Sequence, residues 1–331
     1  MGGVVTASKH LMALLRSHID GNDDQFFSVA MQVAAHEARL GHGKLAQQLK
    51  ELVDEARQRQ VRRSNRPLPL VQPKGDLAAL LSARYSDTRL SGMILTPSLD
   101  ERLHRVIAEQ RQQHRLTERG LAPRRKLLLV GPPGSGKTMT AAALAGELNL
   151  PLFTVLFDTL ITRFMGETAS KLRLVFDAMG STRGVYFFDE FDAIGARRTE
   201  KNDVGEIRRV LNSFLQFLEN DHSDSLIVAA TNHPELLDPA LFRRFDDVIA
   251  YSLPDYEVAE NILKARLAMF DTELIDWRGA VSEANGLSQG ELSRAADEAA
   301  KRAVLDDRTA VTNDDLTAAI AERQAASKHH Q

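Results

Sequence analysis

The chain has no cysteine. Disulfides, thiolate metal sites and cysteine nucleophiles are thereby excluded, and the absence fits a reducing, cytoplasmic setting. No uninterrupted apolar run is long enough to cross a bilayer, so no membrane span is expected. A dominant charge is missing as well: 42 Lys and Arg stand against 45 Asp and Glu, a net charge of −3. That balance argues against a protein built to coat nucleic acid or an anionic membrane, so no nucleic-acid partner is expected, although a local basic site stays open. No basic segment leads into an apolar core at the N-terminus, so no secretory leader is expected. Met1-Gly2-Gly3-Val4-Val5-Thr6 fits the short myristoylation pattern. With no cysteine or polybasic cluster to supply a second anchor, it reads as an ordinary terminus.

What is present is the profile of a globular protein of two or three domains: 331 residues, 43% apolar and 26% charged. Residues 1–60 read as three short amphipathic helices in a small bundle, from stripes such as Leu11, Leu15, Ile19 and Leu45, Leu49, Leu52, Ala56. Asn22 and Gln25 look like a capping box for the second helix. The composition shifts from Gln58 to Pro73, where Arg59, Arg62, Arg63 and Arg66 stay solvated while Pro67, Pro69 and Pro73 withhold backbone donors, and residues 61–90 read as a linker. The same arginines could contact nucleic acid, but no aromatic side chains are interleaved with them.

Between 91 and 253, short apolar runs at 127–130, 152–157, 185–188, 226–230 and 248–251 alternate with helical patterns. Such alternation predicts an α/β fold with a parallel sheet covered by helices on both faces. From Pro254 to 331 only helices are expected. One stripe is Ala259, Ile262, Leu263 and Arg266; another is Leu292, Ala295, Ala299 and Ala303; Thr312 and Asp315 form a capping box for the last helix.

Gly131-Pro132-Pro133-Gly134-Ser135-Gly136-Lys137-Thr138 matches the P-loop pattern in full and sits where that pattern must sit, between a strand and a helix opening at Met139. Its glycines let backbone N–H groups turn toward a β-phosphate, and the helix N-terminus adds a favourable dipole. Lys137 is expected to reach the β- and γ-phosphates of ATP, and the Thr138 hydroxyl to bind Mg²⁺. A chance glycine-rich turn would not match eight positions in this context. Val185-Tyr186-Phe187-Phe188-Asp189-Glu190 ends an apolar strand in two carboxylates. Asp189 suits Mg²⁺, and Glu190 suits a general base acting on the attacking water.

Taken in order, the P-loop, Asp189-Glu190-Phe191-Asp192-Ala193-Ile194, Ala229-Ala230-Thr231-Asn232 and Leu237-Asp238-Pro239-Ala240-Leu241-Phe242-Arg243-Arg244-Phe245-Asp246 resemble the AAA ATPases proper, the clade of proteasomal ATPases, katanin and spastin. The likeness covers about 91 to 319 and implies a P-loop AAA core with a C-terminal all-helical lid, the N-terminal bundle lying outside it. It implies ATP hydrolysis with Mg²⁺ by a homo-oligomer, a hexameric ring, acting on a protein client. By position it makes Asn232 the residue that holds the attacking water, and Arg243 and Arg244 fingers that act on a neighbouring subunit's ATP, with Arg244 the first choice. The bland alternative for the two arginines is ion pairing with Asp246 and Asp247. Phe164 and Met165, before Gly166, align with a loop that grips polypeptide in a central pore. Gly290 is placed near the nucleotide, together with Pro132, Pro133, Ser135 and Met139 of the loop, and the adenine against 91–94. Gly286-Leu287-Ser288-Gln289-Gly290-Glu291 carries no arginine where other AAA clades have one, and Arg266 stands where many relatives have histidine. The build also resembles stand-alone bacterial ATPases paired with subtilisin-like proteases in antiviral defence, which implies a partner protease. A different class is an ATP-driven assembly switch that regulates a partner enzyme without threading, and a third is a nucleic-acid motor.

Overall fold

The computed structural model describes residues 72–160, 165–194 and 204–328, together with a few helical positions at 29–31, 33–34 and 47. The chain divides into two compact units, Met1–Pro69 and Leu70–Gln331. In the first unit only those few helical positions are described, so the expected three-helix bundle and its Asn22–Gln25 box lie outside the described residues. The rest of this section concerns the second unit.

Six strands form one sheet: β1 (Leu81–Arg84), β2 (Lys126–Val130), β3 (Leu152–Val155), β4 (Val185–Phe188), β5 (Leu226–Thr231) and β6 (Asp247–Ala250). Their order is β1-β3-β4-β5-β2-β6. All neighbours are parallel except β1, which runs antiparallel to β3. The helices of this layer are α1 (Pro97–Arg111), α2 (Lys137–Leu148), α3 (Met165–Ser181) and α4 (Val204–Asn220).

Each central strand is apolar on both faces because both faces are covered. Leu127 and Leu129 point into the core under α1 and α2 with Phe187, Val228 and Ile249. Leu128 points the other way, into the core with Tyr186, Phe188, Ile227 and residues of α3 and α4. All three leucines are fully buried. The five expected apolar runs are all strands, shifted by a residue or two at their ends; the run 152–157 stops at Val155 because a short helix starts at Phe157. Strand β1 lies inside the stretch 61–90 read as a linker, so the sheet begins earlier than the predicted boundary at 91. Its sequence Leu81-Ser82-Ala83-Arg84 carries little strand signal, and it is held by pairing with β3 (Leu81 opposite Val155).

After β6 the chain is helical: α5 (Tyr256–Arg266), α6 (Trp277–Glu283), α7 (Gln289–Leu305) and α8 (Asn313–Lys328). They enclose a separate apolar core in which Leu263, Leu292, Ala295, Ala299 and Ala303 are fully buried. Alanine along one face of α7 lets α8 approach closely. The predicted capping box is present: Thr312 N donates to Asp315 at 2.9 Å and Asp315 N donates to Thr312 Oγ1 at 3.3 Å. Arg308 also pairs with Asp315 at 2.6 Å, and these partners hold its carboxyl well below the usual range. Among the described residues no helix is long and apolar enough to cross a membrane.

Helix α4 is anchored by one ring. Phe214 is fully buried, with its centroid 4.7 Å from Phe191, 5.2 Å from Phe188 and 5.7 Å from Phe176. Phe214→Ala removes the side chain that three other rings pack around. It is expected to destabilise the protein by about 3–5 kcal/mol, read as a fall in urea midpoint with the slope unchanged; a loss under 1 kcal/mol would show that the cluster closes over the gap.

Candidate nucleotide site

The parallel strands present their carboxyl ends along one edge of the sheet, where open α/β folds bind ligands. Three of the predicted motifs meet there. The P-loop follows β2, Asp189 and Glu190 follow β4, and Asn232 follows β5, which lies between β4 and β2.

The loop's shape depends on glycine. Gly131 has φ +149°, and a Cβ there would lie 2.4 Å from the Tyr251 carbonyl oxygen. Gly134 has φ +73°, and a Cβ there would lie 2.5 Å from Ser288 Oγ. Both positions are closed to other residues by conformation and by space. The curled backbone delivers the chain into α2, whose first turn starts at Lys137.

Lys137 is only 6% exposed. Its Nζ donates to Gly131 O at 2.7 Å and Pro132 O at 2.8 Å. Burial pushes its pKa down, and the carboxylates of Asp189 and Asp192 pull it partly back. Of its loop neighbours, Ser135 is buried, Gly136 and Pro132 are half-buried, and Pro133, Thr138 and Met139 are exposed at the mouth. A buried ammonium inside a ring of backbone dipoles at a helix N-terminus fits a polyphosphate group.

Thr138 Oγ1 donates to Asp189 Oδ2 at 2.9 Å. The two predicted Mg²⁺ ligands are thus side by side, one hydroxyl and one carboxylate. No group of three or more metal-ligating His, Cys, Asp or Glu occurs among the described residues. A hard cation held by two protein oxygens and completed by phosphate oxygens and water matches that donor set.

Glu190 is exposed and stands at φ +51°, the left-handed region that non-glycine residues seldom enter. Its N–H donates to Asp189 Oδ1 at 3.0 Å, so this short turn aims the two neighbouring carboxylates differently. Asn232 is half-buried, in a turn pinned by residues that motif reading did not single out. Thr231 Oγ1 donates to Asp192 at 3.0 Å and accepts from His233 N at 3.0 Å. Both Thr231 and Asp192 stood inside the quoted motifs, but their pairing joins positions 39 apart and carries no local signal.

The lid meets the loop directly. Gly290 N donates to Gly134 O at 2.9 Å, which brings Gly290 to the site. Arg266 pairs with Asp297 at 3.3 Å inside the lid. Phe164 lies outside the described residues, and Met165 opens α3.

Arg243 and Arg244 are elsewhere. Asp246 N donates to Lys126 O, and the Asp246 carboxylate accepts from Arg125 N and Lys126 N, at 2.8 to 2.9 Å. Asp247 pairs with Arg102. The two arginines therefore form no ion pair with these aspartates. Arg244 instead sits 2.5 Å from Glu219 of α4 with its Nε–H pointing off the contact axis, and Nη1 donates to Ala240 O at 3.3 Å. Arg243 is exposed and makes no hydrogen bond or ion pair with a described residue.

A P-loop on an inner strand, a carboxylate pair on the next strand but one and a helical lid define a P-loop nucleotidase. Residues 127–253 match the family model "ATPase family associated with various cellular activities (AAA)". The chain is 31% identical over 300 residues to "Uncharacterized AAA family ATPase y4kL" of Sinorhizobium fredii, covering 91% of both chains. It is 38% identical over 209 residues to the proteasome-activating nucleotidase of Thermococcus kodakarensis and 38% over 211 residues to that of Pyrococcus horikoshii. Those two matches cover 61% of this chain and only 52% and 53% of the relatives, so the chain aligns with about half of each. The chain belongs to the AAA family of ATPases, and its reaction is ATP hydrolysis.

Lys137→Ala is expected to abolish ATP binding while the apo protein keeps its melting temperature within a few degrees. Calorimetric titration with ATP checks the first part; near-normal affinity in this variant would refute the assignment of Lys137 to the phosphates.

Proposed function

We propose that this ATPase works as a ring of identical subunits, hexameric by analogy with its AAA relatives, in which hydrolysis at each subunit boundary pulls on a protein client. The observation that carries the reading is the distance between the P-loop and the two arginines. Strands β2 and β6 are in parallel register with Leu127 opposite Asp247. At about 3.3 Å per residue, that level lies about 13 Å short of Gly131. Arg243 and Arg244 precede it, at the opposite edge of the sheet from the loop. Neither reaches the subunit's own phosphates, so arginines serving catalysis must serve a neighbour.

Within one subunit, the loop N–H groups and Lys137 bind the phosphates and Thr138 and Asp189 hold Mg²⁺. Mg²⁺ held there would neutralise phosphate charge and orient the phosphate oxygens. Glu190 takes the proton from the attacking water, its carboxylate being exposed at the strand end. Asn232 orients that water with its amide, fixed by the Asp192–Thr231–His233 turn. Between the two arginines the geometry favours Arg243 as the group donated to the next subunit. Its guanidinium has no hydrogen-bond or ion-pair partner among the described residues, whereas Arg244 is engaged by Glu219 and ties the turn to α4.

The client reading draws on the name of the relatives, proteasome-activating nucleotidase, and on the adjacent Phe164 and Met165, the latter opening α3. An aromatic side chain gives a large apolar contact at little entropic cost and so grips unrelated sequences. A protease that consumes the unfolded client is the partner this reading calls for, and a bacterial antiviral system is one setting for such a pair.

Arg243→Ala is expected to lower turnover about 10³-fold or more with ATP affinity retained. Arg244→Ala, which removes a half-exposed ion pair, is expected to cost about 0–1 kcal/mol of stability and a smaller part of the rate. Mixing Arg243→Ala with Lys137→Ala chains should restore activity, because a wild-type loop then faces a wild-type arginine. Full turnover by Arg243→Ala alone, or no gain on mixing, rules out the trans-acting role.

Phe164→Ala is expected to keep basal ATPase and lose unfolding of a fluorescent client protein. Retained client unfolding would show that Phe164 does not grip the client, and a wild type that hydrolyses ATP without unfolding the client would favour an ATP-set assembly state that regulates a partner enzyme.

A further inference from the structure

The start of α7 is where this chain departs from an arginine-bearing lid, and Gln289 occupies that start. Three residues there press on the P-loop. Gly290 N donates to Gly134 O, Ser288 Oγ closes the space beside Gly134, and Gln289 Oε1 lies 3.3 Å from the position a Cβ on Gly136 would take. Met93 Cε lies 3.8 Å from that same position. The other end of the carboxamide reaches across the cleft: Gln289 Nε2 donates to Ile94 O at 3.4 Å. Ile94 in turn packs against the lid core. One half-buried side chain therefore spans the lid, the 93–94 segment and the third glycine of the loop.

The orientation of the amide follows from its partner. A backbone carbonyl only accepts, so the nitrogen must face Ile94 and the oxygen must face Gly136. That oxygen has no donor among the described residues. The phosphates of ATP are acceptors and would be repelled by it. The donors that ATP carries at neutral pH are the ribose hydroxyls and the adenine amino group, all in the nucleoside half.

We propose that Gln289 is a nucleotide-recognition residue whose Oε1 accepts a hydrogen bond from a donor on the nucleoside half of the bound nucleotide, while Nε2 stays on Ile94. The proposal rests on the phosphate reading of the P-loop. It makes recognition of the nucleoside a property of the lid, so lid closure and nucleoside identity are coupled through one side chain. The substitution Gln289→Glu keeps length but replaces the donor by an oxygen facing Ile94 O, which should turn the group away.

The test is calorimetric titration of the wild type, Gln289→Ala and Gln289→Glu with ADP, 2′-deoxy-ADP, 3′-deoxy-ADP, purine riboside diphosphate and pyrophosphate, in Mg²⁺. Both variants are expected to bind ADP about 5- to 20-fold more weakly, the range of one hydrogen bond lost at a buried acceptor. The wild-type advantage should vanish for the one analogue that lacks the matching donor, which identifies ribose or base. Pyrophosphate, which has no nucleoside, should bind all three proteins equally. Unchanged ADP affinity overturns the proposal. A wild-type advantage that is the same for all three analogues does so too, as does a matching loss for pyrophosphate. A variant that only melts earlier without ligand makes Gln289 a structural tie of the lid and equally overturns it. If the wild type itself binds neither ADP nor pyrophosphate, the phosphate reading of the loop has failed.

Discussion

The site is organised around one buried ammonium. Lys137 is taken out of water by the loop that precedes it and is held by two of that loop's carbonyl oxygens. Removing a charge from water costs far more than one hydrogen bond returns, so the arrangement persists only if the surrounding dipoles are fixed. Fixing them is what the rest of the structure does. Gly131 lies against the Tyr251 carbonyl at the end of β6, and Tyr251 N in turn donates to Val130 O at 2.7 Å. The Tyr251 hydroxyl reaches Thr140 of α2 at 2.6 Å, and burial pushes that hydroxyl's pKa up to about 12, so it remains a neutral donor. Strand, loop, helix and the strand that leads to the lid are thereby one rigid piece around the ammonium. A triphosphate entering this cradle replaces neutral carbonyl partners with anionic ones.

The sheet then separates two kinds of chemistry by length alone. Its carboxyl edge carries the loop, Asp189, Glu190 and Asn232. Its amino edge carries the turn with Arg243 and Arg244, locked to β2 by Asp246 and to α1 by the pair of Arg102 with Asp247. That amino edge is itself cross-braced. Arg125 pairs with Asp221 beyond the end of α4, and the Lys126 ammonium donates to Leu218 O. The bracing fixes the backbone that carries the two arginines, so an exposed side chain such as that of Arg243 projects from a defined place.

The central sheet was largely legible from composition alone. Val185-Tyr186-Phe187-Phe188 or Leu226-Ile227-Val228-Ala229-Ala230 has no other comfortable place than between two helical layers. The P-loop was legible because its glycines are required by the phosphate and by the fold at once. What escaped were contacts between distant positions. Strand β1 has no apolar run of its own and exists because β3 offers it an edge. Ion pairs with the nearby Asp246 and Asp247, the alternative to the finger reading of Arg243 and Arg244, were plausible by spacing. Yet the Asp246 carboxylate is satisfied by two backbone N–H groups some 120 residues earlier, and Asp247 by Arg102. Sequence proximity alone is a poor guide there because fixed backbone donors compete well against long flexible side chains that must lose rotamer freedom to pair.

The lid shows how a nucleotide can govern shape in this chain. Its four helices have their own core, so they hold together without the sheet. Where they meet the P-loop, the named links are the Gly290–Gly134 hydrogen bond, the Ser288 contact, the Gln289 amide on Ile94 O and the Ile94 side chain. Each hydrogen bond there contributes about 0.5–1.5 kcal/mol. A nucleotide bound with micromolar affinity contributes about 8 kcal/mol, shared between loop and lid. The ligand term exceeds the protein's own links at this junction several-fold. A bound nucleotide would shift the angle between lid and sheet by the difference in its affinity for the two arrangements, and the few links of the empty protein set a low threshold for that difference.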